Sequence, residues 1–216
     1  MNKDLTEMVF ILDRSGSMWG VTTDTIGGYN SVLQKTRNEG GEALVSTILF
    51  NGGVEVLHDR VPIKDVKEMT EEEYHAIGCT ALLDAVGGSI KHIKKLHKEL
   101  GDDAPGKTIF VITTDGLENA SHKYSKDEVK KMVTKAQERR NWEFIFLGAN
   151  IDAVGEAASL GIKRERSARF INDKQGIDIL YDTVADTINE YRTSSKISDE
   201  FAKRIEEDYK TRGNQR

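Results

Sequence analysis

Asp13, Ser15 and Ser17 stand at two-residue intervals in "FILDRSGSMWG", where an apolar run breaks off at a carboxylate. Two further oxygen-bearing residues fall at comparable places. In "FVITTDGLENAS" an apolar run ends at Asp115, followed by Gly116, and in "GCTALLDAV" Thr80 opens a helical pattern after a small-residue turn. Together these are two carboxylates and three neutral hydroxyls, all hard oxygen donors. Such a set suits magnesium or manganese, which accept oxygen and keep several waters, and offers nothing to zinc or copper.

The elements that must position these groups follow from periodicity. Near-continuous apolar runs at Met8–Leu12, Ala43–Phe50, Thr108–Thr113 and Trp142–Leu147 read as strands, the first buried on both faces. "NGG" at Asn51–Gly53 supplies a hairpin turn into an antiparallel edge strand from Val54. Between the strands lie helical patterns. Leu82, Ala85, Val86, Ile90, Ile93 and Leu100 keep a 3.6-residue period, with Gly101 as C-terminal cap. Ser125 with Glu128 forms a capping box before Val129, Met132, Val133 and Ala136, and Thr70 with Glu73 is a weaker copy of that signal. Ile177, Leu180, Tyr181, Val184, Ile188 and Tyr191 mark a long amphipathic helix. Alternating strands and helices define an α/β protein with a mostly parallel sheet and one antiparallel edge strand. Asp13 and Asp115 then lie at the carboxyl ends of strands, where open sheets of this class bind ligands.

Asp13-x-Ser15-x-Ser17, the threonine of "GCTALLDA" and the aspartate of "TTDG" resemble the three-part metal-ion-dependent adhesion site of von Willebrand factor A-type (vWA) domains. The resemblance spans roughly residues 5 to 192. "DRSGSM", "TDGLENAS" and "LGAN" look most like stand-alone intracellular vWA proteins of bacteria and their phages. The resemblance implies a doubly wound, Rossmann-like sheet with helices on both faces and a divalent ion, Mg or Mn, on its top face. It also implies that Ser15, Ser17 and Thr80 ligate directly, with Asp13 and Asp115 acting directly or through water. Residues 1–193 would form this domain and residues 194–216 a peripheral helix or frayed tail. Function would be protein binding, a partner's exposed Asp or Glu completing the ion's coordination, with Met18, Trp19 and Asn119 as candidate contacts.

Competing chemistries are weaker. "GDDAPGKT", Gly101–Thr108, matches a phosphate-binding loop letter by letter, but that loop works between a strand and a helix, and here the order is reversed. Pro105 also removes an amide from the cradle. His92 and His97 are five apart and do not share a helix face, so a zinc-hydrolase motif is absent, and no histidine is spaced to activate Ser15 or Ser17. A magnesium-dependent hydrolase, the alternative reading, would need more carboxylates.

The net charge of −5 argues against a nucleic-acid surface covering the protein, and the basic stretch from Lys123 to Arg140 reads as a solvated helix face. No apolar run approaches the roughly 20 residues of a membrane helix. "MNKDLTE" is no secretory leader, and Cys79 stands alone, which fits a cytoplasmic protein. Cys79 itself reads as a small buried filler.

Overall fold

The computed structural model describes residues 1–149 and 151–213; Asn150 of "LGAN" and residues 214–216 of the expected tail lie outside the described residues. Six strands form one sheet: β1 (Asn2–Asp13), β2 (Ala43–Phe50), β3 (Val54–Pro62), β4 (Pro105–Thr114), β5 (Glu143–Ala149) and β6 (Ser167–Phe170). Their spatial order is β3-β2-β1-β4-β5-β6. Among the described residues only the β2–β3 pair is antiparallel. Among the described residues six α-helices surround the sheet: α1 (Thr22–Asn38), α2 (Leu82–Leu100), α3 (Lys126–Arg140), α4 (Ala153–Ser159), α5 (Lys174–Ser194) and α6 (Lys203–Arg212).

The apolar run of β1 serves two cores at once, because successive side chains point to opposite faces. Met8, Phe10 and Leu12 pack with Tyr29, Val32 and Leu33 of α1 and Leu180, Val184 and Ile188 of α5. Val9 and Ile11 pack with Val86, Ile90 and Ile93 of α2 and Val129 and Val133 of α3. Truncating a fully buried residue such as Phe10 to alanine would cost about 3–5 kcal/mol. Helix α1 lies close to α5 because position 28 has no side chain: a Cβ on Gly28 would come 2.1 Å from the Tyr181 ring.

Local signals explain several boundaries. Gly101 ends α2 with φ of 58°, a conformation that suits glycine. Ser125 and Glu128 form the expected capping box at the start of α3. Thr70 and Glu73 also bond to each other, Thr70 Oγ1 to Glu73 Oε2 at 2.7 Å, but only a turn follows.

Of the segment expected as a peripheral helix or frayed tail, the described residues include the helix α6. Ile197, Phe201, Ala202 and Ile205 are buried in the core that contains α5. The thin apolar stripe suffices because β6 at the sheet edge and the flank of α5 offer a surface for α6 to cover.

Sheet order reverses its winding between β1 and β4, which are neighbours although α1, β2, β3 and α2 lie between them in sequence. The crevice at their carboxyl ends is where this topology leaves room for a ligand.

Candidate metal centre

Asp13 is the last residue of β1, and its carboxylate organises the turn that follows. Ser15 N donates to Asp13 Oδ1 at 2.7 Å, a two-residue side-chain turn that bends the chain back over the strand end. A 3-10 turn, Gly16–Val21, continues from there and brings Ser15 Oγ and Ser17 Oγ to 3.1 Å. From β4, Thr114 Oγ1 donates to Asp13 Oδ2 at 2.6 Å. Ser17 Oγ donates to Asp115 Oδ1 at 2.5 Å. The proton of Ser17 thus points at Asp115, which leaves the hydroxyl's lone pairs available to a cation.

Thr80 arrives from a separate loop that is stitched to both others. Gly16 N donates to Gly78 O at 3.0 Å and Ile77 N to Arg14 O at 2.9 Å. On the other side, Thr80 N donates to Asn119 Oδ1 at 2.9 Å, while Asn119 N donates back to Thr80 O at 3.0 Å. A Cβ on Gly116 would lie 3.0 Å from Thr80 Oγ1 and 3.9 Å from Ser17 Oγ, so the glycine after Asp115 keeps these hydroxyls close together. Beneath them the Tyr74 hydroxyl donates to the Asp13 carbonyl. All five expected residues therefore converge on one spot.

The electrostatics are those of a site lacking positive charge. Burial raises the pKa of Asp13 above the ordinary carboxylate value, against the hydrogen bonds from Thr114 and Ser15 that favour the ionised form. Burial also raises that of Asp115; the Ser17 hydrogen bond opposes this, and the neighbouring Asp13 charge adds to it. Arg14, the adjacent cation, turns away to Glu55 at 2.6 Å. Among the described residues neither carboxylate has a Lys, Arg or His partner. No three His, Cys, Asp or Glu side chains cluster as a metal site among them either, so any ion here would depend on the hydroxyls. The donor set fits a hard divalent cation, whose charge would offset the mutual repulsion of the two buried carboxylates.

The contact candidates fare unequally. Met18 is buried in the core beside α1, because the 3-10 turn has an inner side, and it is not available to a partner. Trp19 is 78% exposed, and Asn119 is exposed although its Oδ1 is engaged by Thr80. Two apolar residues that sequence reasoning passed over join Trp19: Ile77 is 66% exposed and Leu117 56% exposed, each in a loop that forms the site. Cys79 is exposed rather than a buried filler.

Other supporting residues carried no pattern to announce them. Glu118 accepts from Leu83 N, Ala120 N, Ser121 N and Ser121 Oγ at 2.7–2.9 Å, holding the loop after Asp115. Asp84 accepts from the backbone of His122, Lys123 and Tyr124, which depresses its pKa despite partial burial. Spacing alone gives no hint of either role. Gly101–Thr108 builds no phosphate cradle: Pro105 starts β4, and Lys107 Nζ donates to the Arg192 carbonyl.

No family model matches the chain, and no curated protein matches it in sequence. Solved structures do share its fold. A von Willebrand factor type A protein from Catenulispora acidiphila aligns over 86% of this chain and 42% of its own, with TM-score 0.59 and 14% identity. The pilus adhesin SpaC from Lactobacillus rhamnosus GG aligns over 88% and 31%, with TM-score 0.68 and 11% identity. Proximal thread matrix protein 1 from the mussel byssus, with a zinc-occupied MIDAS motif, aligns over 85% and 48%, with TM-score 0.56 and 14% identity. The fold is the Rossmann-like fold of vWA domains. The chain spans less than half the length of each of these three proteins.

Proposed function

We propose that the chain is a divalent-metal-dependent protein-binding module whose ion, magnesium or manganese, is held by Asp13, Ser15, Ser17, Thr80 and Asp115. The observation that carries this reading is the meeting of two buried, unneutralised carboxylates with three hydroxyls at the carboxyl ends of β1 and β4. Ser15, Ser17 and Thr80 would present lone pairs directly, and the aspartates would act directly or through water. Two carboxylates and a preference for six oxygens leave such an ion able to accept a further carboxylate.

The partner supplies an exposed Asp or Glu. Trp19, Ile77 and Leu117 stand in the three site loops, so that carboxylate sits among apolar side chains which exclude water when they meet this collar. No helix is long and apolar enough to cross a membrane among the described residues, and a protein partner is the reading the collar favours. Metal added to the stripped protein should raise its melting temperature, an ion at 100 times its dissociation constant adding about 2.7 kcal/mol. Asp13→Ala and Asp115→Ala should abolish the rise. Zinc belongs in the same titration, because the mussel protein carries it in its motif. The absence of any shift with millimolar Mg, Mn or Zn would refute the reading.

A further inference from the structure

The turn between β6 and α5 belongs to none of the three motif segments, yet it reaches the site. Asn172 Nδ2 donates to Asp115 Oδ2 at 3.0 Å, while Ser17 holds Oδ1. An ionised carboxylate can only accept, so the amide must turn its nitrogen to Asp115. The Asn172 Oδ1 is consequently buried without a partner among the described residues, a penalty accepted in favour of the Asp115 contact.

The next residue connects this turn to the C-terminal helix. Asp173 caps α5 by accepting from Gly176 N at 2.9 Å, and it accepts from Arg212 Nη1 and Nη2 at 2.8 and 3.2 Å. Arg212 ends α6 and is also held by Asp208 one turn earlier, at 2.6 and 2.7 Å. These two carboxylates raise the pKa of the guanidinium, keeping it charged. The turn is tight. Asp173 N donates to Ile171 O at 2.9 Å, and a Cβ on Gly176 would lie 2.0 Å from that same carbonyl oxygen.

We propose that Asn172 is a positioning residue of the metal centre, and that the Arg212–Asp173 pair couples docking of the C-terminal helix α6 to metal occupancy. The inference rests on the metal-binding reading above. Two donors fix the orientation of Asp115; without Asn172 the carboxylate turns about its Ser17 bond and the ion meets a less prearranged set of oxygens. Outer partners of this kind are typically worth 10–100-fold in metal affinity. Coupling is reciprocal, so if docked α6 favours the ion, the ion favours docked α6 by the same factor.

The test uses Mn2+ binding to the full chain, by calorimetry, together with amide hydrogen exchange of α6. Asn172→Ala should weaken Mn2+ binding by about ten-fold. Arg212→Gln should weaken it by a smaller factor. In the unsubstituted protein Mn2+ should slow exchange within Lys203–Arg212. In Asn172→Ala that slowing should vanish, while exchange in EDTA matches the unsubstituted chain, which a purely structural role of the asparagine would not produce. Failure of the unsubstituted protein to bind Mn2+ would overturn the metal reading itself. Unchanged affinity in Asn172→Ala would overturn the positioning role, and unchanged affinity in Arg212→Gln, or α6 exchange indifferent to Mn2+, would overturn the coupling, with the metal reading left standing in each case. Should Asn172→Ala not fold, Arg212→Gln and the exchange of the unsubstituted chain still decide.

Discussion

Arg60 Nε lies 2.9 Å from Glu7 Oε2, and the same oxygen is 3.2 Å from His97 Nε2, so one fully buried carboxylate joins β3, β1 and α2. Glu7 Oε1 has no partner among the described residues. A buried charge that loses its cation is costly, because the remaining ion cannot recover its hydration. Arg60→Ala should therefore lower unfolding free energy by about 3 kcal/mol or more. Urea unfolding with an unchanged slope would measure this, and a loss below about 1 kcal/mol would indicate that water reaches Glu7 once the arginine is gone.

Lys107 supplies the second expectation. Its ammonium is committed to the Arg192 carbonyl, where it fastens the start of β4 to the end of α5. Lys107→Ala should cost about 1.5–3 kcal/mol, the usual worth of a hydrogen bond to a charged group. Calorimetry should detect no ATP or GTP binding before or after the change. Micromolar nucleotide affinity that disappears in the variant would revive the nucleotide-binding alternative.

The third expectation concerns pH. In the metal-free protein the carboxyls of Asp13 and Asp115 titrate above their ordinary value of 3.8. Folding then takes up protons, so the stability these groups contribute is complete below that value and is lost as pH rises through the raised ones. A divalent ion needs both groups ionised, so its stabilising increment grows over the same interval. The rise in melting temperature that the proposed ion brings should thus shrink as pH is lowered from about 7 toward the range in which these carboxyls take up protons. A rise that stays constant until the protein unfolds in acid would mean that the ion does not face these two aspartates.

Much of the frame was legible because strong periodicity leaves few alternatives. The run Ala43–Phe50 is β2 to the residue, and the apolar period from Leu82 to Gly101 is α2 with its cap. The strand β6 gave no comparable signal, since it is four residues long and carries the exposed Arg169. Helix α4 is likewise only seven residues. At the site, residues on a fixed spacing were visible and residues recruited by tertiary contact were not. Asp13, Ser15 and Ser17 share a turn, whereas Asn172 approaches Asp115 across 57 positions of sequence. The inward turn of Met18 depends on a 3-10 segment that no spacing rule signals.

Ser17 and Asp115 are 98 positions apart, and the strands that carry the crevice become neighbours only after α1, β2, β3 and α2 have been bridged. Contacts of such separation carry a large loop-closure cost and form slowly. An ion that requires the completed crevice finds nothing to grip in the unfolded chain or in early, local structure. The proposed ion's influence on the pathway would be one-sided: it would lengthen the lifetime of the native state by slowing unfolding and leave the rate of folding unchanged.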